Sequence, residues 1–393
     1  MEILILGRGK SALAVKKYLE KDNKITFAIE DNESLDQESI YKKDVDIEKY
    51  DLFFVSPGVK NDDPLLIKLI ENNKKITSEI EYALSILNKH KIIAITGSNG
   101  KTTVATLLHY VLNKKGVKNV VGGNIGDPLI NYANIDIDTY IILEISSFQL
   151  ERLHYFKPYI SIITNITPNH LDRHTYGEYI ELKKKIYLFQ DKNNFLIVRK
   201  KDYKKFNMFS KCNVKYIKNN YLKLKYLVGK HNKENVSIVI EVLKILNINK
   251  YKRIIEDFKG VKYRLEYLGK YNKTKFYNDS KSTTIYATIS ALKSIGRNTL
   301  LIIGGRNKNI DYSILKKYKV KEIIIFGEEA KITDLDIKKF NNLEEVFNYL
   351  KVSVNKYKNI LFSPGFTSFD LYKDYIERGE AFEKLCKKHF ELK

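Results

Sequence analysis

The chain alternates short, continuous apolar runs with longer amphipathic stretches, and this alternation limits the folds that it can adopt. Runs such as residues 3–6, 92–95 and 300–303 are rich in Ile and Leu and are bounded by glycine or charged residues, as buried strands are. Residues 12–20 and 102–114 follow two of these runs with helical periodicity. Apolar strands followed by helices predict an α/β fold whose parallel sheets are covered on both faces.

The organisation along the chain predicts three domains. A length of 393 residues suggests two or three domains, at roughly 150 residues each. A helical pattern ends near residues 88–91, where a new strand leads into a glycine loop, and a fresh strand-rich stretch begins near residues 259–261. These breaks predict α/β domains at residues 1–89, 90–260 and 261–393.

Composition narrows the class of protein. A hydrophobic fraction of 44% excludes a disordered chain. The chain carries 69 Lys and Arg against 47 Asp and Glu, a formal net charge of +22, which is typical of proteins that bind nucleic acid or membrane surfaces. The lysines are nevertheless spread along the whole chain, so we interpret most of the excess as a compositional bias. A nucleic-acid-stimulated ATPase stays open as an alternative.

Cysteine usage and hydropathy suggest a compartment. Cys212 and Cys386 are far apart and match no metal-binding or redox spacing, and two thiols in so long a chain suit a reducing cytoplasm. The first residues include no basic segment before an apolar one, and no run approaches the roughly 20 apolar residues that span a bilayer. We therefore expect a soluble cytoplasmic protein without membrane insertion.

The strongest motif follows the apolar run at residues 92–95. It reads Thr96, Gly97, Ser98, Asn99, Gly100, Lys101, Thr102 and Thr103. Glycines let a backbone approach a phosphate closely, and the N-terminus of the following helix supplies converging N–H groups. Lys101 can place its charge on the β- and γ-phosphates, while the Thr102 hydroxyl can bind Mg²⁺. Only Ser98 and Asn99 separate the glycines, so this phosphate loop is shorter than a usual Walker A motif.

Two further strands end in residues that suit a metal or a phosphate. Glu144 closes one apolar run, where a buried carboxylate is costly unless a partner such as a metal ion balances it. His170 follows another run and is a candidate to bind a metal or a phosphate. Capping or structural roles are the alternatives for both residues. Lys183, Lys184 and Lys185 share a helical pattern downstream, and one of them is expected to face the site.

Polar residues also mark the later part of the chain. Asn232 and Asn235 precede a helix predicted at residues 236–246 and share one helical face, where they either contact a nucleotide or cap the helix. Arg264 lies at the predicted domain junction, and polar clusters at the ends of later strands suit a small polyanion. These clusters are residues 278–284, 304–311 and 363–370.

A glycine-containing turn occurs near the N-terminus. Residues 7–12 read Gly-Arg-Gly-Lys-Ser-Ala directly after the first predicted strand, and this pattern fits a Rossmann-like turn. The alternatives for such a turn are NAD, another nucleotide diphosphate or no ligand, so a nucleotide-binding oxidoreductase is a further alternative for the whole chain.

Taken together, these motifs resemble the Mur ligase family over essentially the whole chain. The short phosphate loop and the segments at residues 122–126, 143–150 and 165–173 are similar to successive family signatures. The Asp-Ser-Lys-Ser-Thr run at residues 279–283 resembles the branch that adds D-glutamate. The resemblance implies an N-terminal Rossmann-like domain, a central P-loop ATPase-like domain with a parallel sheet, and a C-terminal Rossmann-like domain.

The resemblance also implies an activity. Such a ligase joins D-glutamate to UDP-N-acetylmuramoyl-L-alanine through an acyl phosphate, in cytoplasmic synthesis of peptidoglycan precursors. It uses ATP and two Mg²⁺ ions, together with a lysine carbamate. The expected partners are therefore small-molecule substrates and not nucleic acid, and the expected state is a monomer. A sister Mur or folylpolyglutamate-type ligase that adds another amino acid is the nearest alternative.

Individual residues take roles from the same resemblance. Those expected at ATP are Gly97, Ser98, Asn99, Gly100, Lys101, Thr102, Thr103, Asn232, Asn235, Arg264 and Asp279. Those expected at the metal ions are Thr102, Glu144, His170 and carbamylated Lys183, and the expected catalytic residues are Lys101, Glu144, His170 and Lys183. The UDP-sugar side is expected to comprise Lys10, Ser11, Ser56, Pro57, Gly58, Asn124 and Gln149. The D-glutamate side is expected to comprise Lys281, Thr283, Lys308, Ser368, Phe369 and Tyr375.

The chain departs from the family pattern at several of these places. Tyr263 stands where a His often precedes the Arg, and Tyr375 stands where Phe is usual. Arg306 adds positive charge on the amino-acid side. Residues 31–32, Asp and Asn, lack the Arg that is often found near the uracil, so the expected uridine contacts are the least defined.

Overall fold

The computed structural model describes residues 1–170, 173–220, 222, 224–227, 229–306, 312–318, 320–333 and 336–393. Within these residues the strands form three sheets, which belong to two compact units. The first unit comprises Met1–Asn219 and Glu234–Asn249, and the second comprises Asn220–Lys233 and Lys250–Lys393. The first two sheets lie in the first unit and the third lies in the second. The division into three domains stays a prediction.

The first sheet is parallel, with the strand order β3-β2-β1-β4-β5. Its strands are β1 (Glu2–Leu6), β2 (Lys24–Ile29), β3 (Ser39–Tyr41), β4 (Leu52–Val55) and β5 (Ile76–Thr77). The neighbouring helices are α1 (Lys10–Leu19), α2 (Pro64–Glu71) and α3 (Glu79–Ile86), with 3₁₀ turns at Lys42–Asp44 and Ile47–Lys49. The most continuously apolar runs become the central strands β1 and β4 because core side chains cover both of their faces.

The second sheet is also parallel, with the order β11-β10-β9-β6-β8-β7. Its strands are β6 (Ile92–Thr96), β7 (Asn119–Gly123), β8 (Tyr140–Glu144), β9 (Ile160–Ile163), β10 (Phe195–Val198) and β11 (Asn213–Tyr216). Its helices are α4 (Lys101–Lys114), α5 (Ser147–Glu151), α6 (Tyr176–Lys184) and α7 (Lys200–Lys205), with a 3₁₀ turn at Leu129–Tyr132. Because β6 lies between β8 and β9, the segments that follow these three strands leave the same edge of the sheet.

A long helix follows the second sheet and corrects one expectation. Helix α8 spans Lys230–Ile245, whereas the sequence predicted a helix only from residue 236. The apolar pattern marks only the turns that pack on the core, and those turns stabilise the polar first turns in the same helix. Asn232 and Asn235 therefore lie within α8 instead of before its start, and both are buried.

The third sheet has the order β12-β13-β17-β14-β15-β16. Its strands are β12 (Glu266–Tyr271), β13 (Thr274–Asn278), β14 (Thr299–Gly304), β15 (Glu322–Phe326), β16 (Lys338–Phe340) and β17 (Asn359–Gly365). Its helices are α9 (Lys252–Glu256), α10 (Ile285–Ile295), α11 (Glu328–Ile332), α12 (Leu343–Ser353) and α13 (Tyr375–His389), with 3₁₀ turns at Ser313–Lys317 and Val354–Lys356.

One edge of this third sheet contradicts the expectation of purely parallel sheets. Strand β12 pairs antiparallel with β13, while the other pairings of the sheet are parallel. Only Asn272 and Lys273 connect the two strands, and a link this short makes a hairpin because a parallel crossover needs a dozen or more residues. Asn272 has φ +51°, the left-handed conformation that a tight hairpin requires.

The first two sheets share part of their hydrophobic packing. Ile80 and Ala83 of α3 belong to the same buried cluster as Leu129 and Ile130 of the second sheet's 3₁₀ turn. Glu79, at the start of α3, is also buried, and its Oε1 accepts a hydrogen bond from the backbone N–H of Ile130 at 2.8 Å. Burial raises the pKa of Glu79 to about 7, although backbone N–H donors act in the opposite direction.

None of the described helices combines the length and the apolar character that a membrane-spanning segment needs.

The buried carboxyl group of Glu79 predicts a pH-dependent contribution to the free energy of unfolding. The folded-state pKa of about 7 lies above the ordinary value of 4.5, so the contribution is complete below pH 4.5 and is lost as the pH rises to about 7. Glu79→Gln keeps an acceptor for Ile130 but does not titrate. Its unfolding free energy relative to the wild type should therefore rise across this interval by on the order of 2 kcal/mol.

Urea unfolding at several pH values between 4.5 and 8 measures the difference between these two proteins. The control is Glu71→Gln, which changes an exposed glutamate at the end of α2. The control should differ from the wild type by an amount independent of pH. A difference between Glu79→Gln and the wild type that is equally flat would contradict the prediction.

Candidate active site

The phosphate loop joins β6 to α4 and requires its two glycines. Gly97 has φ +139° and Gly100 has φ +87°, and a Cβ atom on Gly97 would lie 2.1 Å from the Oγ1 atom of Thr164. Gly100 is the N-cap of α4, so the first N–H groups of that helix face the loop. Lys101 Nζ donates hydrogen bonds to the carbonyl oxygens of Gly97 and Ser98, at 2.8 and 3.2 Å. Its positive charge therefore lies beside the loop, as the motif predicts.

The segment after β9 holds the phosphate loop in this conformation. Thr164 Oγ1 and Asn165 Nδ2 both donate to the carbonyl oxygen of Asn99, at 2.6 and 2.8 Å. Asn165 Oδ1 accepts from the N–H of Asn99, and its carbonyl oxygen accepts from the N–H of Ser98. The loop is therefore shaped by side chains from a neighbouring strand end, which fixes where its backbone groups point.

Glu144 lies at the end of β8, directly beside β6, and is 1% exposed. Its Oε1 accepts a hydrogen bond from Asn124 Nδ2 at 2.8 Å, whereas Oε2 is buried and has no hydrogen-bond partner among the described residues. A buried carboxylate oxygen without a partner is costly, and a cation removes that cost. Thr102, at the start of α4, is also a buried residue. Both residues fit Mg²⁺, which prefers oxygen ligands.

Within the described ranges, no group of three or more His, Cys, Asp or Glu side chains is placed to hold a metal ion. Mg²⁺ beside nucleotide phosphates is usually held by one or two carboxylates together with phosphate oxygens and waters. A site built on the carboxylate of Glu144 therefore suits a nucleotide-bound Mg²⁺ better than an all-protein metal centre.

Lys183, on α6, is 1% exposed and points at the end of β6. Its Nζ donates to Thr96 Oγ1 at 2.9 Å, and Thr96 Oγ1 in turn donates to the carbonyl oxygen of Ile145. Burial lowers the pKa of Lys183 well below its usual value, and the charge of Lys101 acts in the same direction, while Glu144 opposes both. The side chain is therefore biased toward the neutral amine.

The two lysines that follow point elsewhere. Lys184 pairs with Glu181 at 2.7 Å, and Lys185 Nζ donates to the backbone carbonyl oxygens of residues 150, 151 and 153. Of the three consecutive lysines, Lys183 alone contacts the end of β6. The structure therefore places the lysine that the resemblance selected beside the phosphate loop.

His170 lies on the segment that follows β9 and is exposed. It has φ +54°, and its ring packs edge-on against Phe148, with 4.7 Å between the ring centroids. The phosphate loop, Glu144 and His170 thus follow three adjacent strands, and their chain segments leave the same edge of the second sheet. On the other side of the loop, Gly100 packs closely against Asn235, because a Cβ on Gly100 would lie 2.4 Å from Asn235 Oδ1.

Most residues predicted at the UDP-sugar side line one cleft beside the first sheet. Its volume is about 740 Å³, and its lining includes Lys10, Ser11, Ser56, Pro57 and Gly58. Lys42 also lines this cleft, and the sequence did not predict it there. Its ammonium group pairs with the carboxylates of Asp63 and Glu30. Burial acts to lower the pKa of Lys42, but these two carboxylates raise it above the ordinary value.

The other residues predicted at the UDP-sugar side belong to the second sheet. Asn124 donates to Glu144, and its backbone N–H bonds to the Glu144 carbonyl oxygen. Gln149 is buried in α5, where its Oε1 accepts from the N–H of Ser146 and completes a capping box. Lys10 Nζ reaches the carbonyl oxygen of Gly126 at 2.6 Å, which connects the cleft to the loop after β7.

In the second unit, Asp279 follows β13 and is buried. Its Oδ2 accepts hydrogen bonds from the hydroxyl groups of Ser282 and Ser363, and its Oδ1 accepts from the N–H of Leu265. Burial raises the pKa of Asp279 to about 6, whereas these donors and the charge of Arg264 lower it. The carboxylate thus joins the ends of β13 and β17 with the segment before β12.

The residues predicted at the D-glutamate side are placed unevenly. Lys281 Nζ lies over the ring of Tyr375, 5.1 Å from the ring centroid, so these two predicted residues are in contact. Ser368 is buried, Thr283 is half-buried, and Phe369 is 62% exposed. Lys308 lies outside the described residues. Arg306, which departs from the family pattern, pairs with Glu328, and its Nε lies 2.9 Å from Glu328 Oε2.

Arg378 was not predicted, although it is fully buried in this part of the second unit. Its guanidinium donates to the hydroxyl and carbonyl oxygens of Ser280 and to the carbonyl oxygen of Phe366. Burial lowers the pKa of Arg378 to about 10, while Asp370 and Tyr372 oppose the shift. The side chain fixes the segments after β13 and β17. No sequence signal distinguishes it from surface arginines, because its burial arises only when α13 packs on the sheet.

The comparisons with known proteins agree with this architecture. Residues 95–278 match the model of the Mur ligase middle domain. A solved UDP-N-acetylmuramate-alanine ligase from Thermotoga maritima aligns with a TM-score of 0.59, at 17% identity and 99% coverage of both chains. The MurF ligase from the same organism, in complex with ADP, aligns with a TM-score of 0.58 at 16% identity, covering 86% of this chain and 90% of that chain. The family model and the aligned structures thus show that the chain has the fold of the Mur ligases.

Sequence relatives identify the branch. A protein of Fervidobacterium nodosum named UDP-N-acetylmuramoylalanine--D-glutamate ligase is 33% identical over 420 residues, and 99% of each chain is covered. A protein of the same name from Thermosipho africanus is 34% identical over 423 residues, covering 100% of this chain and 99% of the relative. The chain therefore belongs to the UDP-N-acetylmuramoylalanine--D-glutamate ligase family.

The contact between Gly97 and Thr164 yields a stability prediction. Gly97→Ala adds a Cβ atom that overlaps Thr164 Oγ1 at a positive φ, and it should cost roughly 3 kcal/mol of unfolding free energy. The matched control is Gly116→Ala, at φ +69° with no atom within 4 Å of the added Cβ. The control suffers the backbone strain alone and should lose about 1 kcal/mol. Urea unfolding measures both, and equal losses in the two variants would refute the proposed clash.

Proposed function

We propose that this chain joins D-glutamate to UDP-N-acetylmuramoyl-L-alanine with ATP, forming an amide, ADP and phosphate. The substrates come from the names of its relatives. The observation that carries the proposal is the burial of Glu144 and Lys183 beside β6, the strand that leads into the phosphate loop. This arrangement supports phosphoryl transfer, because it assembles a cation-binding carboxylate and a lysine beside converging backbone N–H groups.

ATP binding is assigned to the phosphate loop. A carboxylate is a poor acyl donor, so a ligase of this kind first transfers the γ-phosphoryl group to it. Lys101 and the first N–H groups of α4 would bind the phosphate oxygens and stabilise the charge that develops on them. Mg²⁺, when bound, neutralises part of the same charge. Glu144 and Thr102 are the residues that would hold it, and the partnerless Oε2 of Glu144 supports this assignment.

We also propose that Lys183 carries a carbamate. Carbamylation requires a neutral amine, and the lowered pKa of Lys183 supports that state. The neutral amine would add to CO₂ and lose a proton, and the carbamate anion so formed would be a metal-binding group that offsets the charge of Lys101. With His170, this carbamate would hold a second Mg²⁺. The hydrogen bond from Nζ to Thr96 would orient the nitrogen toward the loop.

The amino-acid side is assigned to the second unit. D-Glutamate carries two carboxylates, and Lys281, Lys308 and the buried Arg378 would supply positive potential for them. The contact of Lys281 with Tyr375 supports a pocket in which the ring positions the ammonium. The D-glutamate amine then attacks the acyl phosphate, phosphate leaves, and the amide forms after loss of a proton from nitrogen.

The finer architecture is part of the same proposal. We infer three domains at residues 1–89, 90–260 and 261–393, which bind the UDP-sugar, ATP and the amino acid in that order. The separate first and second sheets, and the third sheet in its own unit, support this division. The cleft lined by Ser56, Pro57 and Gly58 is the proposed UDP-sugar site.

ADP release tests the reaction directly. The wild-type chain should release ADP only when UDP-N-acetylmuramoyl-L-alanine and D-glutamate are both present, and a panel of other amino acids should not replace D-glutamate. Lys101→Ala should lower turnover by about 100-fold or more, because the transferring phosphoryl group loses a preorganised charge. Lys114→Ala, which removes an exposed lysine at the other end of α4, is the matched control and should keep activity. ADP release independent of D-glutamate would reject the assignment.

A neighbouring pair of lysines tests the carbamate. Lys183→Ala should lose roughly 100-fold in kcat, whereas Lys184→Ala should stay close to the wild type, because only Lys183 is buried beside the loop. In the presence of ¹³C-bicarbonate, a carbamate resonance should appear in the wild type and in Lys184→Ala but not in Lys183→Ala. Equal activity of the two variants would rule out the role of Lys183.

A further inference from the structure

Arg173 is a half-buried cation to which neither the motifs nor the proposed function gives a role. Its side chain is 11% exposed, and its Nε and Nη2 atoms pair with both oxygens of Glu151, which is itself 5% exposed. His174 Nδ1 lies 3.3 Å from the same carboxylate. This two-point pairing fixes the plane of the guanidinium group, so its remaining N–H donors have a defined direction.

Those donors face the loop that lines the proposed UDP-sugar cleft. Arg173 Nη1 donates to the carbonyl oxygen of Pro57 at 3.1 Å, and Nη2 donates to the carbonyl oxygen of Val59 at 2.9 Å. Ser56, Pro57, Gly58 and Val59 all line the cleft. One guanidinium group therefore binds two carbonyl oxygens of a loop that follows β4 of the first sheet. Arg173 itself lies on the segment between β9 and α6 of the second sheet.

The same guanidinium group also packs on the aromatic ring of Phe148. Its central carbon lies 4.5 Å from the ring centroid of Phe148, the ring that also packs against His170. Phe148 belongs to α5, as does Glu151. Arg173 thus contacts the cleft loop on one side and the aromatic support of His170 on the other. A displacement of either element changes the contacts of the same side chain.

We propose that Arg173 is a positioning residue that holds the cleft loop, residues 56–59, in register with the phosphate-loop edge of the second sheet. This proposal rests on the proposed function for its substrate. A UDP-sugar bound in the cleft must present its carboxylate at the γ-phosphate, and a misplacement of about 1 Å lowers the rate of such a transfer steeply. Rigid placement of the loop also reduces the ordering that substrate binding would otherwise require.

The test uses the full-length chain with Arg173→Met, Arg173→Lys and a matched control. The control is Arg199→Met, which removes a half-buried arginine paired with Asp202 at 2.6 Å in the same unit. Hydrogen exchange at residues 56–60 is measured without ligand. Arg173→Met should accelerate exchange there by about tenfold, equal to about 1.4 kcal/mol, whereas Arg199→Met should not. Arg173→Lys should be intermediate, because an ammonium group cannot make the bidentate pair and both carbonyl contacts at once.

Kinetics separate positioning from a general loss of folding. Arg173→Met should raise the KM for UDP-N-acetylmuramoyl-L-alanine by about tenfold and leave the KM values for ATP and D-glutamate within about twofold. Unchanged exchange at residues 56–60 overturns the proposal whether or not any substrate binds. Accelerated exchange with an unchanged KM for the UDP-sugar overturns the link to substrate. A wild-type chain that does not turn over this substrate would instead refute the proposed function, while the exchange result would still decide whether Arg173 holds the loop.

Discussion

The removal of Glu144 and Lys183 from water is the constraint on which the candidate site depends. Both side chains are 1% exposed, one on the strand beside β6 and one against the end of β6. Neither is balanced by a direct ion pair within the described chain, since Glu144 keeps one oxygen without a partner and Lys183 donates only to a hydroxyl group. Such desolvated groups persist in a fold when a ligand or a change of protonation compensates them. Cation binding at the carboxylate and a neutral amine at the lysine are the two compensations that this geometry allows.

The phosphate loop depends on the same sheet edge. Thr164 and Asn165, at the end of β9, hold the backbone of the loop, and Lys101 at the start of α4 supplies its positive charge. The loop glycines allow a close approach of neighbouring atoms that a Cβ atom would prevent. The parallel order β9-β6-β8 brings these parts together, because parallel strands deliver all their following loops to one edge. Arg173 extends the arrangement to the cleft of the first sheet. The first unit therefore contains a continuous set of contacts from the cleft loop through Arg173 and Phe148 to His170.

Much of this could be predicted from local pattern. The runs at residues 92–95 and 195–198 became buried strands, and the loop between β6 and α4 has the conformation that its glycines suggested. Other predictions failed where local pattern does not decide the outcome. Strand β12 is antiparallel because of a two-residue link, and α8 begins before its apolar stretch because buried turns stabilise polar ones. The role of Lys308 and the domain boundaries stay predictions.

The sequence by itself determined the α/β class, the phosphate loop and the strand-end positions of Glu144 and Asp279, because apolar periodicity and glycine spacing act over a few residues. The family resemblance selected Lys183 from three consecutive lysines, but only the tertiary structure showed that it alone is fully buried beside the loop. The packing of the sheets and helices also buries Arg378 and gives Arg173 its bonds to residues 57 and 59. Consecutive lysines have the same composition and nearly the same surroundings along the chain, whereas their burial depends on which helical face packs on the sheet. Contacts between residues more than 100 positions apart, such as Arg173 with Val59, are set by how sheets and helices pack, and no local pattern encodes them.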